Sequence, residues 1–66
     1  MDYVDMGKRV RKQRQLIGLT QQELAERIGV STSFVGHVER GTRKASLETL
    51  VSIANALGVS MDAILQ

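Results

Sequence analysis

Apolar positions recur along most of this chain with the three-to-four-residue period of amphipathic helices. From about Asp5 to Ile17, Met6, Val10 and Gln13 with Leu16 and Ile17 form one stripe, with the basic residues mostly off it. That spacing predicts a first helix, closed by Gly18 just past the last periodic position. Leu24, Ala25 and Ile28 predict a second helix. It begins at Gln21, because Thr20 and Glu23 have the spacing of a capping box, and it ends at Gly29, with Val30 as the apolar plug of the turn. Ser31 is placed to cap a third helix over about Thr32 to Arg40. Ser46 caps a fourth, in which Leu47, Leu50, Val51, Ile53, Ala54 and Leu57 form a broad buried face and Gly58 is the stop. Ser60 caps a short fifth, Met61 to Leu65, whose Ile64 and Leu65 serve as a lid or face another subunit. No strand signal, internal repeat or linker breaks the pattern. The reading is an all-α, compact five-helix bundle, a single domain over residues 1–66.

The second and third helices are separated by one tight turn. A pair crossing at roughly 90 to 120 degrees brings its backbones together, so the contact needs a small residue and the turn needs one that accepts a left-handed conformation. Ala25 fits the first need and Gly29 the second. With Val35 and Val38 turned inward, the helical period puts Thr32, Ser33, Gly36, His37 and Arg40 on the outward face. Gly36 costs a helix up to about 1 kcal/mol relative to alanine. Either it lets another surface come close or it carries no function.

Composition narrows the possibilities. A chain of 66 residues buries a modest core, and with no cysteine it has neither a disulfide framework nor a thiolate metal site. No apolar run approaches a membrane span, and the start lacks the apolar stretch of a signal peptide, so a soluble, cytoplasmic protein is expected. The net charge of +2 is unevenly spread. Residues 1–20 carry +3, residues 21–45 carry +1 and residues 46–66 carry −2, a polarity suited to meeting a polyanion in one orientation. Enzymatic function is not expected. There is a single histidine, no glycine-rich phosphate loop and no metal-ligand spacing, and nothing orients His37 toward Ser31 or Ser33 as a base. No cofactor and no small-molecule site is expected either.

The stretch TQQELAERIGVSTSFVGHVERG, together with GLTQQELAERIGVS, the downstream ERG and the late SLETLVSIANALGVSMDAIL, resembles the helix-turn-helix of the phage repressor and Cro family, the xenobiotic-response-element-type regulators. The resemblance covers nearly the whole chain. It implies a lambda-repressor-like fold and sequence-specific binding to double-stranded DNA, usually as a homodimer regulating transcription, most often by repression. It points to Thr32, Ser33 and His37 as base readers with Gly36 alongside, and to Gln21 as a phosphate-clamping residue. The commoner pattern carries glutamine, asparagine or arginine at the base-reading positions, which this chain lacks. The resemblance also pairs Arg14, late in the first helix, with Glu39 at the end of the third.

The residues themselves are compatible with that role. An α-helix fits the major groove, where side chains at its start reach base edges, and hydroxyls, a methyl and an imidazole are groups that read them. Arg43 and Lys44 in the following loop are candidates for the flanking phosphates, Arg9 on the first helix is another, and Phe34 is expected to pack at the helix edge near the sugar-phosphate chain. Met61, Ile64 and Leu65 are candidates for contact between two copies. Two rivals share the fold: a DNA-binding antitoxin with a toxin partner, and a protein-interaction module without DNA contact.

Overall fold

A computed structural model describes residues 2–66. Within them the chain forms five helices, α1 (Tyr3–Leu16), α2 (Gln21–Ile28), α3 (Thr32–Arg40), α4 (Leu47–Leu57) and α5 (Asp62–Leu65), and no strand. Helix α1 starts two residues before the apolar pattern does, because Asp2 is the cap. Its carboxylate accepts the amides of Val4 at 2.9 Å and Asp5 at 3.2 Å, and those bonds hold it below the usual carboxylate range.

Packing follows from which faces meet. Helix α3 packs against both α1 and α2, α4 against α2 and more lightly against α1, and α5 closes on α1. Met6, Val10, Leu24, Val38, Ile53 and Ile64 are the most completely buried side chains, so every helix sends at least one into a common core. Gly7 is the point of closest approach. A Cβ there would overlap the carbonyl oxygens of Val38 and Glu39, so the glycine lets α1 lie directly on the last turn of α3. Gly41, in the left-handed region at φ 73°, ends α3 against the start of α1, where a Cβ would lie 2.6 Å from the Val4 Cα.

Four expectations are corrected. Leu16 and Ile17 are 68% and 49% exposed, not part of the buried stripe of α1. Leu16, the last residue of α1, and Ile17, its C-cap, lie on the solvent side, and Leu19, past the turn, enters the core instead. On α4, Leu47 and Val51 are exposed while Leu50, Ile53, Ala54 and Leu57 are buried. Six apolar positions span a wider arc than α2 and α1 together cover. Helix α5 has no side-chain cap: Met61 is already helical, and the Ser60 carbonyl, not its hydroxyl, accepts the Ala63 amide at 3.1 Å. Finally, Ile64 is fully buried, so it closes the core and is not available to a second copy.

Candidate nucleic-acid interface

Helix α2 begins with the full capping box. The Thr20 hydroxyl accepts the Glu23 amide at 3.0 Å, and the Glu23 carboxylate accepts the Thr20 amide at 2.9 Å. These bonds to Thr20 lower the Glu23 carboxyl below its ordinary range. The helix stops at Gly29, left-handed at φ 74°, which redirects the chain within two residues. Ser31 then caps α3 by accepting the Phe34 amide at 3.0 Å. The apolar face of α3 is pinned by Val35 and Val38, so its orientation on the domain is set from beneath.

A charged clamp fixes the far end. Arg14 donates from Nε to Glu39 Oε2 at 2.6 Å and from Nη2 to Oε1 at 3.0 Å, a two-pronged pairing of buried side chains. Its third nitrogen donates to the Leu19 carbonyl at 2.7 Å, so the guanidinium also ties down the α1–α2 turn. Bonding to Glu39 raises the Arg14 group above its ordinary value, which keeps it charged across the whole working pH range. Gln21 joins the same carboxylate, donating Nε2 to Oε1 at 3.1 Å. Among the described residues this is the one ion pair, and it links α1, α2 and α3.

The expected contact residues are distributed around this frame. Thr32 and Ser33 are exposed at the start of α3, and their amides have no acceptor among the described residues. Gln21, half-buried, keeps its side-chain oxygen free, while its nitrogen is committed to Glu39. His37 is half-buried, with Nδ1 2.8 Å from the Thr42 hydroxyl. Gly36 is not open: the Arg40 guanidinium lies over it, with Nη1 3.0 Å from where a Cβ would be. Phe34 packs on the edge of the core, and Arg43 sits over its ring at 5.4 Å from the centroid. Lys44 sits over the Tyr3 ring at 5.7 Å, so the loop after α3 is held to both α3 and α1 by cation–π contacts. Arg9 is half-buried on α1 and makes no hydrogen bond among the described residues.

Arg40 lies on the outward face that the helical period assigns it, but its role there is not evident from sequence, and neither are the roles of Thr42 and Gly7. Arg40 brings a guanidinium to a helix face whose base-reading positions carry no arginine; its place four residues after Gly36 is the available signal. Thr42 touches His37 across the helix end, and Gly7 sets the spacing of α1 and α3. A threonine after a glycine stop carries no distinguishing pattern, and a mid-helix glycine reads as a defect until its neighbour is seen.

Two short helices joined at a left-handed glycine, the second anchored by valines and offering hydroxyls and an imidazole outward, constitute a helix-turn-helix. The helix-turn-helix family model matches residues 10–64, and the chain belongs to that Cro/C1-type family of transcriptional regulators. It is 45% identical over 56 residues to an uncharacterized helix-turn-helix-type transcriptional regulator of Mycobacterium tuberculosis, a match covering 85% of this chain and 40% of that protein. The chain thus spans well under half the length of that relative. Among solved structures it is similar to the restriction-modification controller protein C.AhdI from Aeromonas hydrophila, with a TM-score of 0.93 and 39% identity over 97% of each chain. It is also similar to the P22 c2 repressor in complex with a synthetic operator, with a TM-score of 0.85 and 31% identity over 92% of each chain. Among the described residues no helix is long and apolar enough to cross a membrane.

Proposed function

We propose that this chain is a small, non-enzymatic transcriptional regulator of the cytoplasm that binds double-stranded DNA in a sequence-specific manner and acts as a repressor. It functions as one domain over residues 1–66. Helix α3 enters the major groove. Thr32, Ser33 and His37 reach base edges there, and Gly36 allows a close approach once Arg40 swings aside. Gln21 holds a phosphate with its free oxygen turned away and its main-chain amide, at the positive end of α2, turned toward the anion. Arg43, Lys44 and Arg9 meet the flanking backbone, and Phe34 packs beside the sugar-phosphate chain.

The observation that carries this reading is the Arg14–Glu39–Gln21 clamp, with bonds of 2.6 to 3.1 Å. It locks three helices at the end of α3 and leaves the polar start of that helix exposed. A buried ionic frame under a bare polar helix face is suited to presenting side chains in a fixed register to an outside groove. The similarity to the P22 c2 repressor, solved on an operator, supports the same reading.

One such module touches few base pairs, so the active form is a homodimer on two half-sites about one helical turn apart. Leu47 and Val51, one turn apart on α4 and 71% and 41% exposed, supply the apolar contact, with half-buried Met61 and Leu65 as further candidates. The decisive experiment is selection from a random duplex pool, followed by titration at several salt concentrations. A two-fold symmetric motif and a steep fall of affinity with salt are expected. Binding to any duplex no better than to an acidic control overturns the proposal.

A further inference from the structure

The chain has one phenylalanine, one tyrosine and no tryptophan, and each of the two rings carries a cation from the same short loop. Arg43 lies over Phe34 at 5.4 Å from the centroid, and Lys44, the next residue, lies over Tyr3 at 5.7 Å. Both rings pack against the core, which makes them firm platforms. The loop backbone is itself fixed at both ends. The Thr42 amide donates to the His37 carbonyl at 3.0 Å, the Thr42 hydroxyl donates to the same oxygen at 3.2 Å, and Ala45 is buried. Gly41 sets the start of the loop against the first turn of α1, where Tyr3 stands. What freedom remains lies in the two exposed basic side chains, and the rings restrict it. Among the described residues neither side chain enters an ion pair or a hydrogen bond, so their N–H donors stay available to an outside acceptor.

We propose that Phe34 and Tyr3 are positioning residues for DNA binding: each ring holds its cation in the pose in which it meets a backbone phosphate, Arg43 beside the start of α3 and Lys44 beside the start of α1. A long basic side chain that moves freely in solution loses rotamer freedom when it settles on a phosphate, and that loss weakens the complex. A ring that already confines the cation moves the loss into folding, so the same charges bind more tightly. Ring and phosphate do not compete, because they take different sides of the cation. The rings act through phosphate contacts, so they set affinity and leave base preference alone. Tyr3 thereby ties the start of α1 to the interface, a role that its place in the first turn does not announce. The effect on affinity rests on the DNA-binding reading above, whereas the contacts between rings and cations belong to the free domain.

The test has two arms. In proton NMR of the unaltered domain, the Arg43 Hδ and Lys44 Hε signals should be shifted upfield by the rings, both in the free state and on the selected duplex. Phe34→Leu should abolish the first shift and Tyr3→Leu the second. Shifts absent from the free domain overturn the proposal, and so do shifts lost on the duplex, since the rings would then compete with DNA for the cations. In the second arm, each leucine variant is titrated with the same duplex and is expected to bind about two- to fivefold more weakly, with the selected motif unchanged. Tyr3→Phe and Phe34→Tyr, which keep a ring, should bind as the unaltered domain does. A double-mutant cycle separates positioning from a merely structural role: Tyr3→Leu should have no further effect in a Lys44→Gln background, and Phe34→Leu a smaller one in an Arg43→Gln background. Equal losses in both backgrounds overturn the proposal, as does unchanged or tighter binding by the leucine variants. Failure of the unaltered domain to bind any duplex overturns the DNA-binding reading and this proposal with it, and upfield shifts in the free domain then mark structural contacts only.

Discussion

Two glycines inside helices behave in opposite ways, and the difference lies in what a methyl group would touch. At Gly7 a Cβ meets backbone carbonyls of Val38 and Glu39, which cannot move without separating α1 from α3. Gly7→Ala is therefore expected to destabilise the domain by about 1–3 kcal/mol or more, read as a fall in the urea midpoint. At Gly36 the nearest atoms belong to the end of the Arg40 side chain, which can swing away. Gly36→Ala should leave thermal stability unchanged or raise it by up to about 1 kcal/mol. Its effect belongs to binding: affinity for the selected duplex should fall, and an unchanged affinity would show that no surface comes close at this point. Sequence makes the two positions look alike. Only the neighbour across the interface tells a required gap from an unfilled one.

Each of the first four helices is stopped by a left-handed glycine, at or just past its last turn, and started by a side chain that accepts first-turn amides. The glycine stops and the caps at Thr20, Ser31 and Ser46 are legible in the sequence because each acts within about one turn, whereas the Asp2 cap, ahead of the first apolar position, emerged only from the structure. For Asp2 and Glu23 the folded carboxyls lie below their ordinary values. Their contribution is thus present above the usual carboxylate range and is lost as pH falls through the lowered folded values. On acidification, protection of the Thr20 amide, corrected for the intrinsic exchange rate, should fall ahead of that of the core amides of α4, and Glu23→Gln, which accepts the same amide without titrating, should remove that early response. Breaking the buried clamp between α1, α2 and α3 is expected to cost more than removing either cap, because it strands a buried charge. Glu39→Gln leaves Arg14 with a poorer partner, and Arg14→Met strands a buried carboxylate, so each should cost about 3 kcal/mol in chemical denaturation. The double variant should cost less than the two together, because removing both partners leaves no stranded charge. The pairing of Arg14 with Glu39 came from resemblance; its extension to Gln21 and the Leu19 carbonyl emerged only from the fold.

For the molecule as a whole, the exposed pair on α4 and the basic loop after α3 are the surfaces that bear on assembly and binding. Val51→Asp should leave the monomer folded, since the side chain is 41% exposed, and should shift sedimentation toward the monomer while weakening operator binding. Arg43→Gln should reduce the slope of log affinity against log salt by about one and weaken binding to all duplexes alike. The sequence by itself determined the number of helices in the described chain, their order and most of their ends, because caps, stops and the 3.6-residue period act between residues within about one turn of each other. Tertiary structure alone decided that Leu47 and Val51 face outward while Ile64 does not, and that Leu19 replaces Leu16 and Ile17 in the core. It also decided which neighbours hold the His37 ring. Apolar periodicity states that a face can be buried; whether it is depends on how much surface the other helices have left to cover it.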